Sequence, residues 1–150
     1  MSMITMDQVR TQLDRDEPDY AEAARLGPDA IPHLMQLVRG GDPMLASKAA
    51  YLASLIQSDK STDVLDLAAH SSHDQVRIAA AAGVRNLKQV QAPLLDLLVH
   101  DLDAGVRKVT LRSIEAKPPA GVKAMVEEIA KNDPDENLRE LAGKMVNQLQ

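Results

Sequence analysis

Residues 103–117, DAGVRKVTLRSIEAK, decide the fold, because their pattern recurs three more times along the chain. The other copies are DPMLASKAAYLASLI at 42–56, DQVRIAAAAGVRNL at 74–87 and DENLRELAGKMVNQL at 135–149, aligned without gaps. Their anchors, Leu45, Val76, Val106 and Leu138, lie 31, 30 and 32 residues apart. So steady a period marks a repeat architecture, in which each unit buries its apolar face against its neighbours. Counting from each anchor, small or apolar side chains return at the fourth residue (Ala49, Ala80, Thr110, Ala142) and the eighth (Ala53, Val84, Ile114, Val146). That spacing is one buried face of an α-helix. The third, seventh and eleventh positions are mostly apolar too, with Lys48 and Lys117 as departures.

Upstream of each anchor lies a second apolar segment: Ile31–Val38, Val64–Ala69, Leu94–Val99 and Val122–Ala130. Each unit therefore reads as two helices joined by a short polar turn. Pro18, Pro28, Pro43, Pro118, Pro119 and Pro134 fall at junctions, while Pro32 and Pro93 sit where a first helical turn tolerates them. Asp42, Asp74 and Asp103 are placed to cap or precede second helices, and Asp135 stands at the corresponding start. Residues 1–26 fall outside the period. Thr5-Met6-Asp7-Gln8 reads as a capping box opening a short helix, and a second short helix, Asp19–Leu26, stops at Gly27. This segment is expected to cover the apolar end of the first repeat, the alternative being a detachable interaction arm. The reading is thus an all-α chain of one domain, 1–150. It is an α-solenoid with an N-terminal cap at 1–26 and about four helical hairpins over 27–150.

Composition agrees. Of 150 residues, 45% are apolar, yet there are two Tyr and no Phe or Trp. A core without rings suits close-packed helices better than strands, which favour aromatic and β-branched residues. With no cysteine, disulfides and thiolate metal sites are excluded. The N-terminal sequence lacks a basic region before its apolar stretch, and no apolar run approaches the roughly 20 residues of a membrane span. A cytoplasmic protein is the expectation. The net charge of −5 argues against general nucleic-acid binding.

The motifs Asp-x-Val-Arg at 74–77, Asp-x-x-Val-Arg at 103–107 and Asp-x-x-Leu-Arg at 135–139 resemble the start of a HEAT repeat's second helix. Residues 26–34, LGPDAIPHL, resemble the entry to a first helix of that family. The short period is similar to the phycobilisome-lyase-type subclass. The resemblance covers about residues 26–150. It implies that Arg77, Arg107 and Arg139 form a ladder with turn carboxylates, interrupted where Ala46 stands in the first repeat. It also implies that the second helices line a concave surface. The outward positions there include Tyr51, Ile78 and Leu111 as an apolar strip among alanines, with Arg85, Lys108, Arg112 and Lys144 adding positive charge. Apolar anchors beside arginine suit a binding surface. The same residues also read as core packing for Ile78 and Leu111 in a tightly curved solenoid, with ordinary solvated cations around them.

The function expected on this reading is a non-catalytic scaffold that binds another protein, through a segment carrying acidic and apolar residues. The alternative is an enzyme subunit of the chromophore-lyase type, which rests on the repeat subclass alone. No cofactor, metal or catalytic residue is assigned. His73-Asp74 and His100-Asp101 are similar to the His-Glu pairs by which a HEAT-like hydroxylase family binds iron, but they occupy different repeat positions. A HEAT-like DNA glycosylase needs aromatic residues and a basic cleft to hold a base, which this composition lacks. There is no phosphate-binding Gly-rich loop, Gly-x-Ser-x-Gly elbow or His-Glu-x-x-His.

Overall fold

Side-chain caps set half of the α-helix starts in the computed structural model, which describes residues 3–149. Among these residues there are ten α-helices and no strand. Helices α1 (Met6–Leu13) and α2 (Tyr20–Ala23) form the N-terminal segment. Then come four pairs: α3 (Ile31–Arg39) with α4 (Pro43–Leu55), and α5 (Ser61–Ala69) with α6 (Asp74–Gly83). The last two are α7 (Ala92–Val99) with α8 (Ala104–Ala116), and α9 (Lys123–Asn132) with α10 (Glu136–Val146). The Thr5–Gln8 capping box is formed. Asp42, Asp103 and Asp135 accept from backbone N–H groups at the starts of α4, α8 and α10. Asp74 behaves differently. It lies in the first turn of α6, and the preceding His73 is an N-cap without a side-chain hydrogen bond.

Each first helix packs on its own second helix, and α4, α6 and α8 adjoin one another in chain order. Aliphatic side chains fill the interior, among them Leu34, Leu52, Leu65, Leu98, Ile114 and Met145. The approach of α6 is close enough to require glycine. A Cβ on Gly83 would stand 2.8 Å from both Leu65 Cδ2 and Ser54 Cβ, inside any ordinary contact. Beyond Gly83 the helix tightens into a 3₁₀ turn, Val84–Asn86.

The two lysines that break the apolar stripe hold main chain. Lys48 Nζ donates to the carbonyls of Leu13 (3.1 Å) and Arg15 (2.7 Å), tying the N-terminal segment to α4. His33 Nε2 donates to the Ile4 carbonyl at 2.6 Å, and Val9 and Leu13 of α1 are fully buried. Lys117 Nζ donates to the Leu87 carbonyl at 2.8 Å, linking the turns after α6 and α8.

Two arginines join neighbouring pairs in the same way. Arg77 Nε donates to Asp101 Oδ2 at 2.9 Å, and Arg107 Nε to Asp133 Oδ2 at 2.9 Å. The second nitrogens of the two forks reach the other carboxylate oxygens at 3.4 and 3.2 Å. Each arginine also donates Nη1 to its own turn, to Ser71 O or Asp101 O, both at 2.9 Å. Each accepting Asp receives the backbone N–H two residues on, Asp103 at 2.9 Å and Asp135 at 2.8 Å. One rung lower in the repeat register stand Ala46 and Ser71, so donor and acceptor are missing together.

Candidate binding face

The strip anticipated on the second helices divides once the helices are packed. Leu111 is a correction. It is only 1% exposed and belongs to the core, so it is closed to a partner. The physical reason is that α8 is covered on more than one side: by α7, and along its flank by α6. A single-stripe helix leaves the fifth residue after the anchor outside, whereas side-by-side second helices bury it, as they also bury Ala50 and Ala81. In α10 the matching residue is Gly143, flanked by exposed Glu140, Lys144 and Asn147, so that flank is polar.

The remaining candidates stay accessible to different degrees. Lys108, Arg112 and Lys144 are exposed; Tyr51, Ile78 and Arg85 are half-buried. Arg85 is partly committed, since its Nε donates to Ser113 Oγ of α8 at 3.3 Å. Arg112 and Lys144 have carboxylates beside them, at 3.0 Å from Glu115 and 3.8 Å from Glu140. The rings of Tyr51 and Tyr20 meet edge to face at a centroid distance of 5.0 Å, so the N-terminal segment covers one end of the strip. Burial and the neighbouring Tyr51 raise the Tyr20 pKa. Along α6 the outward Ile78 and Ala82 stay half-buried, and at the same positions of α8 Lys108 and Arg112 are exposed.

Several concavities lie elsewhere, among them two between successive turns. The larger, about 640 Å³, opens between the turns after α4 and α6 and is lined by hydroxyls and amides such as Ser58, Thr62, Gln57, Gln89 and Gln91. Its sequence signal is glutamine at the turns after α4 and α6, which is too common to single out. The other, about 300 Å³, lies between the α7–α8 and α9–α10 turns, where Leu102 stands 98% exposed. His100 sits on its rim. Nδ1 donates to the Asp96 carbonyl at 2.9 Å and Nε2 to Glu128 at 3.1 Å. Both nitrogens donate only in the imidazolium form. The Asp96 hydrogen bond, with Glu128 adding to it against slight burial, raises the His100 pKa. A raised folded-state pKa contributes stability that is complete below the ordinary value of 6.5 and is lost as pH climbs through the folded value. The melting-temperature advantage over Glu128→Gln should therefore shrink from mildly acidic to alkaline pH. The bridge is exposed, so the effect stays under about 1 kcal/mol. A pH-independent gap would refute the charged bridge.

Among the described residues no three His, Asp or Glu side chains gather as a metal site. Of the His-Asp pairs noted in the sequence, the second has its carboxylate engaged, because Asp101 serves Arg77 and the Asp103 N–H. Among the described residues no helix is long and apolar enough to cross a membrane. No family model matches the chain, and no curated protein matches it by sequence.

Proposed function

We propose that this chain is a HEAT-like α-solenoid acting as a non-catalytic scaffold, which binds a protein segment along the exposed strip of α6 and α8. The observation that carries the reading is Lys108 and Arg112 standing exposed on α8 at the positions that half-buried Ile78 and Ala82 hold on the adjoining α6, in a chain of net charge −5. Such a surface suits a segment with carboxylates beside small apolar side chains. The charges speed encounter, and the apolar contacts retain the complex. The repeat period and the ordered pairing of α3 to α10 support the solenoid reading.

The test is quantitative affinity isolation from the native extract, with wild type, Lys108→Glu/Arg112→Glu and Lys131→Glu as baits. Lys131 is an exposed cation on α9, a first helix. Partners should be depleted about tenfold, equivalent to about 1.4 kcal/mol, by the double variant and retained by Lys131→Glu. The reverse pattern places binding on the first helices and overturns the reading.

A further inference from the structure

Lys117, the departure from the apolar stripe at the end of α8, stands in a group of cations without acidic partners. Its Nζ donates to the Leu87 carbonyl at 2.8 Å, which holds the ammonium at the peptide bond before Lys88. An ammonium offers three donors, and this hydrogen bond occupies one of them. Lys117 and Lys88 both line a concavity of about 470 Å³ between the turns after α6 and α8. Its apolar wall is Val90, Pro118 and Pro119 with the buried Val84 and Leu87. A narrow cleft shares Val84, Val90, Lys117 and Pro119 with it and adds the half-buried Arg85. Neither space is lined by Asp or Glu. Among the described residues no carboxylate lies within ion-pair distance of Arg85, Lys88 or Lys117. In a chain of net charge −5, three such cations around one apolar concavity are a local excess of positive charge.

We propose that this concavity binds an aliphatic carboxylate, an acid with an apolar body, either free or as the last residue of a peptide. The carboxylate takes the remaining donors of Lys117 together with Lys88, and the aliphatic body covers Val90 and the two prolines. Apolar walls with a few placed polar groups, in a space of this size, are the ordinary form of a small-ligand site. The lining calls for both parts of the ligand. An inorganic anion leaves the apolar wall in water, and a neutral aliphatic molecule forgoes the charge-assisted hydrogen bonds. No aromatic ring lines the space, so nothing there stacks a planar ligand. The site is separate from the strip that carries Lys108 and Arg112.

The probe is N-acetyl-leucine, titrated into the full, isotope-labelled chain and followed by amide chemical shifts. The shifts should saturate at millimolar ligand and centre on residues 84–91 and 117–120. N-acetyl-leucinamide, which lacks the charge, and acetate, which lacks the apolar body, should each bind about tenfold more weakly. Lys88→Glu, at an exposed side chain, should weaken binding about tenfold, and Lys117→Gln about threefold, with circular dichroism unchanged. Lys131→Gln and Lys108→Glu/Arg112→Glu should bind as wild type does. The free acid 4-methylpentanoate separates the two sources: tighter binding than N-acetyl-leucine assigns a free acid, and weaker binding a peptide terminus. No saturable shift at millimolar ligand, equal binding of the amide, or tighter binding of inorganic phosphate overturns the proposal. So does wild-type affinity in both Lys88→Glu and Lys117→Gln. Saturable shifts confined to the α6–α8 strip overturn it too, because they place the ligand there.

Discussion

Leu111→Ala is expected to lower the unfolding free energy by about 3 kcal/mol, the cost of lost burial plus the cavity left in a packed interior. The side chain is 1% exposed, between α8 and its neighbours, where Ile114 and Thr110 of the same helix are also buried. Ile78→Ala is the comparison, since Ile78 is half-buried and its neighbourhood can relax toward solvent. It should cost about 1 kcal/mol, in proportion to the smaller apolar area it withdraws from water. Urea midpoints measured on both variants decide the matter. If the two are equal, the packed assignment of Leu111 is wrong. Any binding defect in Leu111→Ala is then read as unfolding, and the surface variants Lys108→Glu and Arg112→Glu carry the test of the binding face.

Arg107→Ala should cost about 3 kcal/mol, because it leaves the Asp133 carboxylate buried without its charge partner. Asp133 is 4% exposed and Arg107 8%, and the fork also holds the Asp101 and Leu102 carbonyls. Arg112→Ala is the matched control. Its partner Glu115 lies at a similar distance, 3.0 Å, but the pair is open to water, where such bridges contribute less than about 1 kcal/mol. A double-mutant cycle with Asp133→Asn isolates the coupling, which should exceed 1 kcal/mol. Equal losses for Arg107→Ala and Arg112→Ala would show that the rung does not bind the hairpins together.

Where the sequence was legible, the information was local. The capping box at Thr5–Gln8, the Asp42, Asp103 and Asp135 caps and the helical period all follow from contacts within a few residues. The short second helix expected over Asp19–Leu26 appears as α2 followed by a 3₁₀ turn, with Asp19 as its cap. The arginine positions were legible through the resemblance carried by the Asp-x-Val-Arg and Asp-x-x-Val-Arg motifs. Their acceptors were not. Asp101 and Asp133 lie 24 and 26 residues downstream among many turn carboxylates, and only the stacking of one turn over the next selects them.

The candidate strip shows the same division. Tyr51, Ile78, Lys108, Arg112 and Lys144 stay accessible in whole or part because the periodicity places them off the first buried stripe. Lys48 and Lys117, out of place in the pattern, find carbonyls of distant residues that no local rule names. By itself, then, the sequence determined an all-helical chain, the capped starts of several helices and one buried face along them. Tertiary structure alone decided the second buried face, which closed over Leu111 of α8 as it did over Ala50 and Ala81. The physical reason is that a 3.6-residue period reports one contact direction per helix, whereas helices stacked side by side make several.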